Sequence, residues 1–307
     1  MLKRIFIVFA VFLMTAPAGF SYWEWTPKTG RWINPKLAVK DTPKEQFELA
    51  EQFRKDGQTE KAIREYEKLV KHYSSSEYAA PSCFALGEIY QQLGNSKESF
   101  DNYQKIVDNY PQSPLVLEAI KRQSAIAENA LERHSFRLLG PRKVEKGDML
   151  ATVIESQPYS DDSALKAFKL GRFYLDIKEY EKAREVFTTA ADRYTDPQTV
   201  EEARFYIIKT DFSSIPAVST DIKNYSEIDA KIKTFLSLYP DSRYRDEVVG
   251  IRSKLAEKEA KKYYEIATYY ERSGKTDSAK YYYKIIAENY PETDYGKISA
   301  KKINTAR

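Results

Sequence analysis

The chain has 307 residues, of which 42% are hydrophobic and 31% charged, with only 11 glycines and 13 prolines. This composition is typical of a folded protein, and the scarcity of turn-forming residues predicts helices rather than a sheet-rich fold. The net charge of +4, from 49 basic and 45 acidic residues, gives no case for nucleic acid as a main partner.

The sequence lacks the residue patterns of cofactor and metal sites. There is one cysteine, and the two histidines, His72 and His134, stand far from any metal-ligand spacing. Phosphate-binding, dinucleotide-binding and nucleophile-elbow motifs are missing as well. We therefore expect no cofactor and no enzymatic activity. The competing hypothesis, a hydrolase with paired carboxylates, rests only on acidic residues that amphipathic helices normally expose to solvent.

The N-terminus has the pattern of an export signal. Lys3 and Arg4 precede the apolar run Ile5–Met14, and small residues follow as far as Ser21. We predict a signal peptide over residues 1–21, cleaved after Ala18 or Ser21, and a chain that is periplasmic or peripheral to the outer membrane. A retained anchor is the alternative, but ten apolar residues fall short of the about 20 that span a bilayer. No cysteine near the cleavage site offers a lipid attachment point.

Residues 22–40 form a tryptophan-rich arm. It contains all three tryptophans, Trp23, Trp25 and Trp32, around the turn sequence TPKTG. This pattern predicts a short hairpin or an extended arm bounded by prolines. An isolated two-stranded hairpin is marginal in water, so it either docks on its own first repeat or contacts a partner protein, a carbohydrate or a membrane interface.

Residues 41–307 contain a repeated helical pair. Six similar segment ends recur at intervals of 37 to 51 residues, as in HYSSSEYA, NYPQSPLV and NYPETDYG, and they predict six units. The prolines of these ends stop a helix because they lack a donor N–H, and Ser113, Ser242 and Thr293 are placed to cap the helix that follows. Breaks inside the units are predicted at 55–58, 93–95, 176–178 and 273–275.

Four units share an alternation of small and large residues. In residues 81–112, for example, the first helix carries Gly87 and the second carries Tyr103; the other clear copies are 42–76, 161–196 and the last unit. Small residues let two helices approach while a ring fills the adjacent groove. Cys83 falls on a repeat position and is predicted to be buried. This pattern resembles the tetratricopeptide repeat, which implies an all-α, right-handed α-solenoid of five to six units.

The remaining units are less regular. We predict a break at LLGPRKVEKGD (138–148) and an insertion at FSSIPAVSTD (212–221), each either a tolerated surface loop or a partner contact. A run from 242 to 273 with one glycine and no proline predicts one unusually long helix. A closing helix over 294–306 is expected to cap the stack.

An aromatic stripe lies on the first helices. Phe47, Phe84, Phe168 and Tyr264 occupy equivalent positions, with Lys44, Arg54 and Arg172 on the same faces by helical spacing. If first helices line the inside of a superhelix, as the repeat resemblance implies, these residues form a groove that binds peptide segments of partner proteins. The alternative is that the rings pack between adjacent first helices.

The whole plan of export signal, linker and repeats with YPxS ends resembles the BamD family. That resemblance, over about residues 42–307, implies a non-enzymatic scaffold in outer-membrane protein assembly whose partners are β-barrel assembly components and substrate peptides. The lipidated cysteine of that family is missing here. Two alternatives stay open: a periplasmic tetratricopeptide coordinator of envelope constriction, and a cell-wall or carbohydrate-binding protein that uses the tryptophan-rich arm.

Overall fold

The computed structural model describes residues 24–26, 30–33, 38–132, 142–216 and 223–305. Within these residues there are two short strands and thirteen helices. The strands are β1 (Glu24–Thr26) and β2 (Arg31–Ile33). The helices are α1 (Pro43–Lys55), α2 (Thr59–His72), α3 (Ala79–Gln92), α4 (Ser96–Asn109), α5 (Val116–Glu132), α6 (Arg142–Ser156), α7 (Ser163–Asp176), α8 (Tyr180–Arg193), α9 (Pro197–Ser214), α10 (Lys223–Leu238), α11 (Arg245–Arg272), α12 (Thr276–Asn289) and α13 (Asp294–Thr305).

The helices form antiparallel pairs in two compact units, one ending at Ile126 and the other beginning at Ala127. In the first unit α1 packs on α2 and α3 packs on α4. In the second unit the pairs include α7 with α8 and α11 with α12, and α13 packs on the last pair. The predicted all-α fold of helix-turn-helix repeats is confirmed.

Each well-formed repeat turns between its two helices in the same way. The turn residue has positive φ at Gly57 (71°), Gly94 (77°) and Gly274 (74°), and at Lys178 (65°) in the fourth case. The next residue donates its backbone N–H to the carbonyl five residues back, as Asn95 does to Tyr90 at 2.9 Å. This pattern is a Schellman C-cap, which satisfies helix carbonyls at the cost of one left-handed residue.

The predicted caps at the ends of the repeats are present. Ser113 Oγ accepts from the N–H of Leu115 at 3.3 Å, and Ser242 Oγ accepts from Tyr244 at 3.0 Å. Thr293 Oγ1 accepts from Gly296 at 2.9 Å. These side chains satisfy backbone donors near the start of the next helix, which are otherwise left open.

The core of each repeat is a small residue on the first helix against a ring on the second. A Cβ added at Gly87 would lie 2.6 Å from Tyr103 Cε1, and one at Gly171 would lie 2.5 Å from Phe187. Both rings are completely buried. Cys83 is buried as predicted, and this burial raises the pKa of its thiol to about 11, which keeps it protonated at neutral pH.

The predicted boundaries of the break and of the insertion in the two irregular repeats were wrong. Residues 142–148 were predicted to belong to a break, but α6 begins at Arg142. Gly147 lies within this helix because the Tyr174 ring packs on it, and an added Cβ would lie 2.6 Å from that ring. Likewise α9 continues to Ser214, so the first three residues of the predicted insertion are helical. Residues 217–221 of that insertion lie outside the described residues.

Helix α11 confirms the predicted long helix, with 28 residues. Its N-terminal half contributes Val248, Ile251 and Leu255 to a core with α9 and α10, and its C-terminal half contributes Ala260 and Ala267 to a core with α12. One helix therefore serves two successive hydrophobic clusters. No helix among those described combines the length and apolar character of a membrane span.

Replacing Gly171 by alanine is predicted to destabilise the protein by about 1–2 kcal/mol. The added methyl overpacks against Phe187, and this outweighs the gain of up to about 1 kcal/mol in helix propensity. Urea unfolding followed by circular dichroism measures the change. Gly250→Ala is the matched control, because nothing lies within 4 Å of an added Cβ there, and it should stabilise α11. Equal effects from the two substitutions would contradict the close-packing explanation.

Lys178→Gly is predicted to stabilise the second unit by about 0.5–1 kcal/mol. A left-handed residue with a Cβ costs roughly 1–2 kcal/mol, and glycine removes this cost but gains entropy in the unfolded chain. A thermal unfolding scan should show a higher Tm for the variant. The reciprocal change Gly274→Ala should lower the Tm, since space is free there and only the backbone conformation opposes the methyl.

Candidate protein-binding surface

In the first unit, the stripe residue Phe47 is held by aromatic rings from neighbouring parts of the chain. The Phe47 ring packs edge-on against Tyr66 of α2, with centroids 5.9 Å apart, and lies 5.3 Å from Tyr78, which immediately precedes α3. Phe47 is half-buried. It therefore links its own repeat to the next one and leaves part of its ring at the surface.

Phe84 is held in the same way. Its ring packs edge-on against Tyr103 at 5.3 Å, and the guanidinium of Arg122 from α5 lies 6.0 Å above the ring. Arg122 Nε donates to Glu118 Oε1 at 2.8 Å, which fixes the orientation of the guanidinium. A cation over a half-buried ring forms a mixed aromatic and basic surface on α3 and α5.

In the second unit the stripe is more deeply buried. Phe168 is only 5% exposed, between Phe187 and Tyr206 at 6.1 Å each, so its ring offers little area to a partner in this conformation. Tyr206 stacks on Phe187 at 4.8 Å. Arg172 is exposed, with its guanidinium 5.9 Å from the Tyr206 centroid and its Nε 3.2 Å from the Phe168 carbonyl oxygen. Arg172 and Tyr206, rather than Phe168, present the accessible chemistry here.

Tyr264 belongs to the last helical pair. Its ring lies 5.5 Å from Tyr283 and 5.1 Å from Tyr295, and Lys302 Nζ lies 5.9 Å from its centroid. Lys302 also donates to Glu271 and to the Tyr283 hydroxyl, at 2.6 and 3.0 Å, and these bonds raise its pKa well above the usual value. Tyr264 therefore packs into the closing layer of the stack.

The charges of the first unit lie between helices. Arg54 Nη2 donates to Glu88 Oε2 at 2.8 Å, which joins α1 to α3, and both side chains are about 30% exposed or less. Glu51, one turn earlier on α1, accepts a hydrogen bond from the buried Tyr66 hydroxyl. Lys44 is 67% exposed, with a weak 3.9 Å contact to Glu48. Lys44 is thus free to meet a partner, whereas Arg54 already has a structural partner.

The Tyr103 hydroxyl differs from those of the equivalent tyrosines. Tyr66 and Tyr283 donate to Glu51 and Glu271, but among the described residues Tyr103 Oη is buried without a hydrogen-bond partner. Burial, the larger effect, raises the Tyr103 pKa to about 12, although nearby Arg122 opposes the rise. The hydroxyl lies close to the charged groups of the first helices and keeps its proton at neutral pH.

A cleft of about 350 Å³ lies between α6 and α8 in the second unit, above α7. Its floor is apolar, with Ala151, Ile154 and Leu170 among its residues. Two ion pairs cross from α8 to α6, Lys182 to Asp148 at 2.8 Å and Arg193 to Glu155 at 3.1 Å. The cleft is large enough to hold one bulky side chain of a partner.

The tryptophan-rich arm forms the predicted hairpin. Strands β1 and β2 pair antiparallel, and Trp25 lies directly opposite Trp32. Their rings meet edge-on at 5.8 Å and are 51% and 63% exposed. Trp23 lies outside the described residues. More than half of the surface of each described tryptophan is thus open to solvent.

Several surface groups were missed by the sequence analysis. Arg122 and Tyr206 complete the first-helix surfaces, and both come from the irregular units, where the repeat spacing is lost. A cluster of tyrosines on the last helical pair was not identified as a surface feature either. There Tyr270 stacks on Tyr282 at 5.6 Å, and Tyr269 and Tyr281 beside them are 67% and 63% exposed. The consecutive tyrosines of α11 and α12 were the available signal, since neighbours on a helix cannot all face the core.

Comparison with known proteins identifies the repeats. Profiles of the tetratricopeptide repeat match residues 46–76, 84–113 and 259–293, and a second such profile matches 167–196. The chain thus contains tetratricopeptide repeats, which generally bind protein or peptide partners and act as non-enzymatic scaffolds. No curated protein has a sequence that matches this chain.

Three solved structures illustrate the likeness. MamA from residue 41 to its end, of Desulfovibrio magneticus RS-1, is 15% identical, with 67% of this chain and 99% of that one covered and a TM-score of 0.28. A tetratricopeptide protein of Thermus thermophilus is 16% identical, with 71% and 98% covered and a TM-score of 0.29. PilF of Pseudomonas aeruginosa is 13% identical, with 85% and 97% covered and a TM-score of 0.28.

The Arg54–Glu88 pair is predicted to couple the first two repeats by about 1 kcal/mol. Both side chains are partly buried and joined by a charge-assisted N–H···O bond of 2.8 Å, so screening by water is weaker than for a fully exposed pair. A double-mutant cycle with Arg54→Met and Glu88→Gln, measured by urea unfolding, gives the coupling energy. The exposed Lys44–Glu48 pair is the control and should show almost none. Equal coupling in both pairs would contradict the bridging role.

Proposed function

We propose that this protein is an exported scaffold that captures peptide segments of partner proteins on its first-helix surfaces. In the first unit this surface comprises Lys44, Phe47, Phe84 and Arg122. In the second unit it comprises Arg172 and Tyr206, with Leu165 55% exposed on the same helix as Arg172. The observation that carries the proposal is the recurrence of exposed cations beside rigidly held rings on successive first helices.

This arrangement suits an extended or helical peptide. The rings are preorganised by packing on second-helix rings such as Tyr103 and Phe187, so little side-chain entropy is lost when a partner binds. The exposed cations favour partner segments that carry carboxylates or aromatic residues. Binding energy in such surfaces is concentrated in a few aromatic and arginine residues, and Phe84 with Arg122 meets this description.

We further propose a cell-envelope setting, most specifically the assembly of outer-membrane proteins. The apolar run Ile5–Met14 behind Lys3 and Arg4 supports export, and the resemblance to the BamD family supports β-barrel assembly components as partners. Periplasmic coordination of envelope constriction is the second candidate function, because residues 1–40 contain no cysteine, whereas the BamD family carries a lipidated one.

We propose a scaffold rather than an enzyme. Among the described residues, no group of three or more histidine, cysteine, aspartate or glutamate side chains is arranged to hold a metal ion. The carboxylates nearest the proposed surfaces serve as ion-pair or hydrogen-bond partners, as Glu88 does for Arg54 and Glu118 for Arg122. These carboxylates thus have structural partners, as expected of a scaffold.

Site-specific photocrosslinking tests the proposed surface. A photoreactive amino acid at Lys44 or Arg172, both exposed on first helices, should capture partner polypeptides in living cells, which mass spectrometry then identifies. We expect envelope proteins among them, and fractionation of the same cells should place the chain outside the cytoplasm. Both positions leave the ring packing beneath the surface intact.

Positions Lys105 and Thr188 are the matched controls, because both are exposed but lie on the second helices α4 and α8. They should give few or no adducts. Equal capture from first-helix and second-helix positions would refute the first-helix surface. Adducts made only with cytoplasmic proteins would refute the envelope setting while leaving peptide binding intact.

A further inference from the structure

The exposed tryptophan pair of the hairpin has no role in the first-helix surfaces. Trp25 and Trp32 are directly opposed in an antiparallel ladder, which places both rings on one face of the ribbon. They pack edge-on and are 51% and 63% exposed. A two-stranded ribbon is marginal in water, and here it carries two large aromatic side chains that are more than half exposed.

The charge of the arm indicates which surface these rings contact. Residues 22–40 contain four basic residues and one acidic residue, Glu24. Of the chain's net +4, residues 1–21 carry +2 and residues 22–40 carry +3, which leaves −1 for everything from residue 41 onward. Positive charge is thus concentrated on the arm, next to the tryptophans.

We propose that the hairpin is a membrane-interface contact whose ligand is an anionic lipid surface. Tryptophan favours the headgroup region because its ring is apolar and its N–H still finds hydrogen-bond partners. Clustered lysine and arginine add electrostatic attraction to anionic headgroups. A neutral glycan would contact the tryptophan rings but would not interact with the basic residues. The presence of both rings and basic residues therefore favours lipid over carbohydrate.

Residues 38–40, at the end of the arm, are fixed to the first repeat. Lys68 Nζ of α2 donates to the Ala38 carbonyl at 3.0 Å, and the Tyr73 hydroxyl donates to the Lys40 carbonyl at 2.5 Å. The Lys40 N–H donates to Gln46 Oε1 of α1 at 2.9 Å. A hairpin seated on lipid therefore holds the first repeats close to the bilayer. This contact is independent of the proposed peptide capture.

The chain contains its own probe for this contact. All three tryptophans lie in the arm, so intrinsic tryptophan fluorescence reports on the arm alone. The protein is isolated from cells, and intact mass establishes its N-terminus. Titration with vesicles of phosphatidylglycerol and phosphatidylcholine should shift the emission to the blue, and brominated lipids should quench it. Pure phosphatidylcholine vesicles should produce a much weaker response, and added salt should weaken the anionic one.

Two variants separate the contributions. Trp25→Ala with Trp32→Ala should weaken vesicle binding, measured by cosedimentation, by about tenfold or more, because their apolar area no longer leaves water. Lys28→Gln with Lys36→Gln should weaken it about 25-fold on anionic vesicles, since each charge contributes roughly fivefold, and should leave the phosphatidylcholine response unchanged. The matched control is Tyr269→Ala with Tyr281→Ala, which removes two rings that are at least as exposed but lie elsewhere, and it should leave binding unchanged.

Far-UV circular dichroism verifies that each variant keeps its helices. The hairpin itself contributes little to this signal. The proposal is overturned if anionic vesicles neither shift nor quench the tryptophan emission, whatever else the protein binds. It is also overturned if the tyrosine control loses as much vesicle binding as the tryptophan variant. Retention on insoluble cell-wall glycan together with an unchanged emission on vesicles would assign the hairpin to carbohydrate instead.

Discussion

The structure depends on one contact repeated along the chain, a small first-helix residue pressed against an aromatic ring of the second helix. At Gly87 and Gly171 no room remains for a Cβ, because the Tyr103 and Phe187 rings occupy the space. Protein interiors are packed like organic crystals, so this contact sets how closely the two helices approach. The helical pair then presents its first helix at a defined distance from the next repeat.

The same rings connect the helix packing to the proposed binding surface. Tyr103 supports Phe84, and Phe187 supports Tyr206, so each buried ring holds another at or near the surface. The aromatic residues of the proposed binding surface are therefore also parts of the inter-repeat packing. Their truncation would perturb stability as well as recognition, whereas exposed charges such as Lys44 and Arg172 are separable from the packing. Specificity among partners is thus expected to come mainly from the charges.

Local features were predictable because each depends on a few consecutive residues. Proline ends, the serine and threonine caps and the glycine turns act within about five positions, so Ser242 and Gly94 could be interpreted without knowledge of their neighbours in space. Gly147 was misinterpreted as a helix breaker for the opposite reason. Its role depends on Tyr174, which comes from the next helix along the chain, and no local signal distinguishes a close-packing glycine from a turn glycine.

The sequence by itself determined the repeat, its length, its turns, the long helix α11 and the positions of the aromatic stripe, because periodicity and capping are local and recur. Only the tertiary structure decided which stripe residues stay accessible. It buried Phe168, brought Arg122 over Phe84 and turned Trp25 and Trp32 toward solvent. The exposure of a side chain depends on which residues from elsewhere in the chain pack against it. Helices α5 and α9 of the irregular repeats supply such neighbours, and their positions do not follow from the repeat spacing.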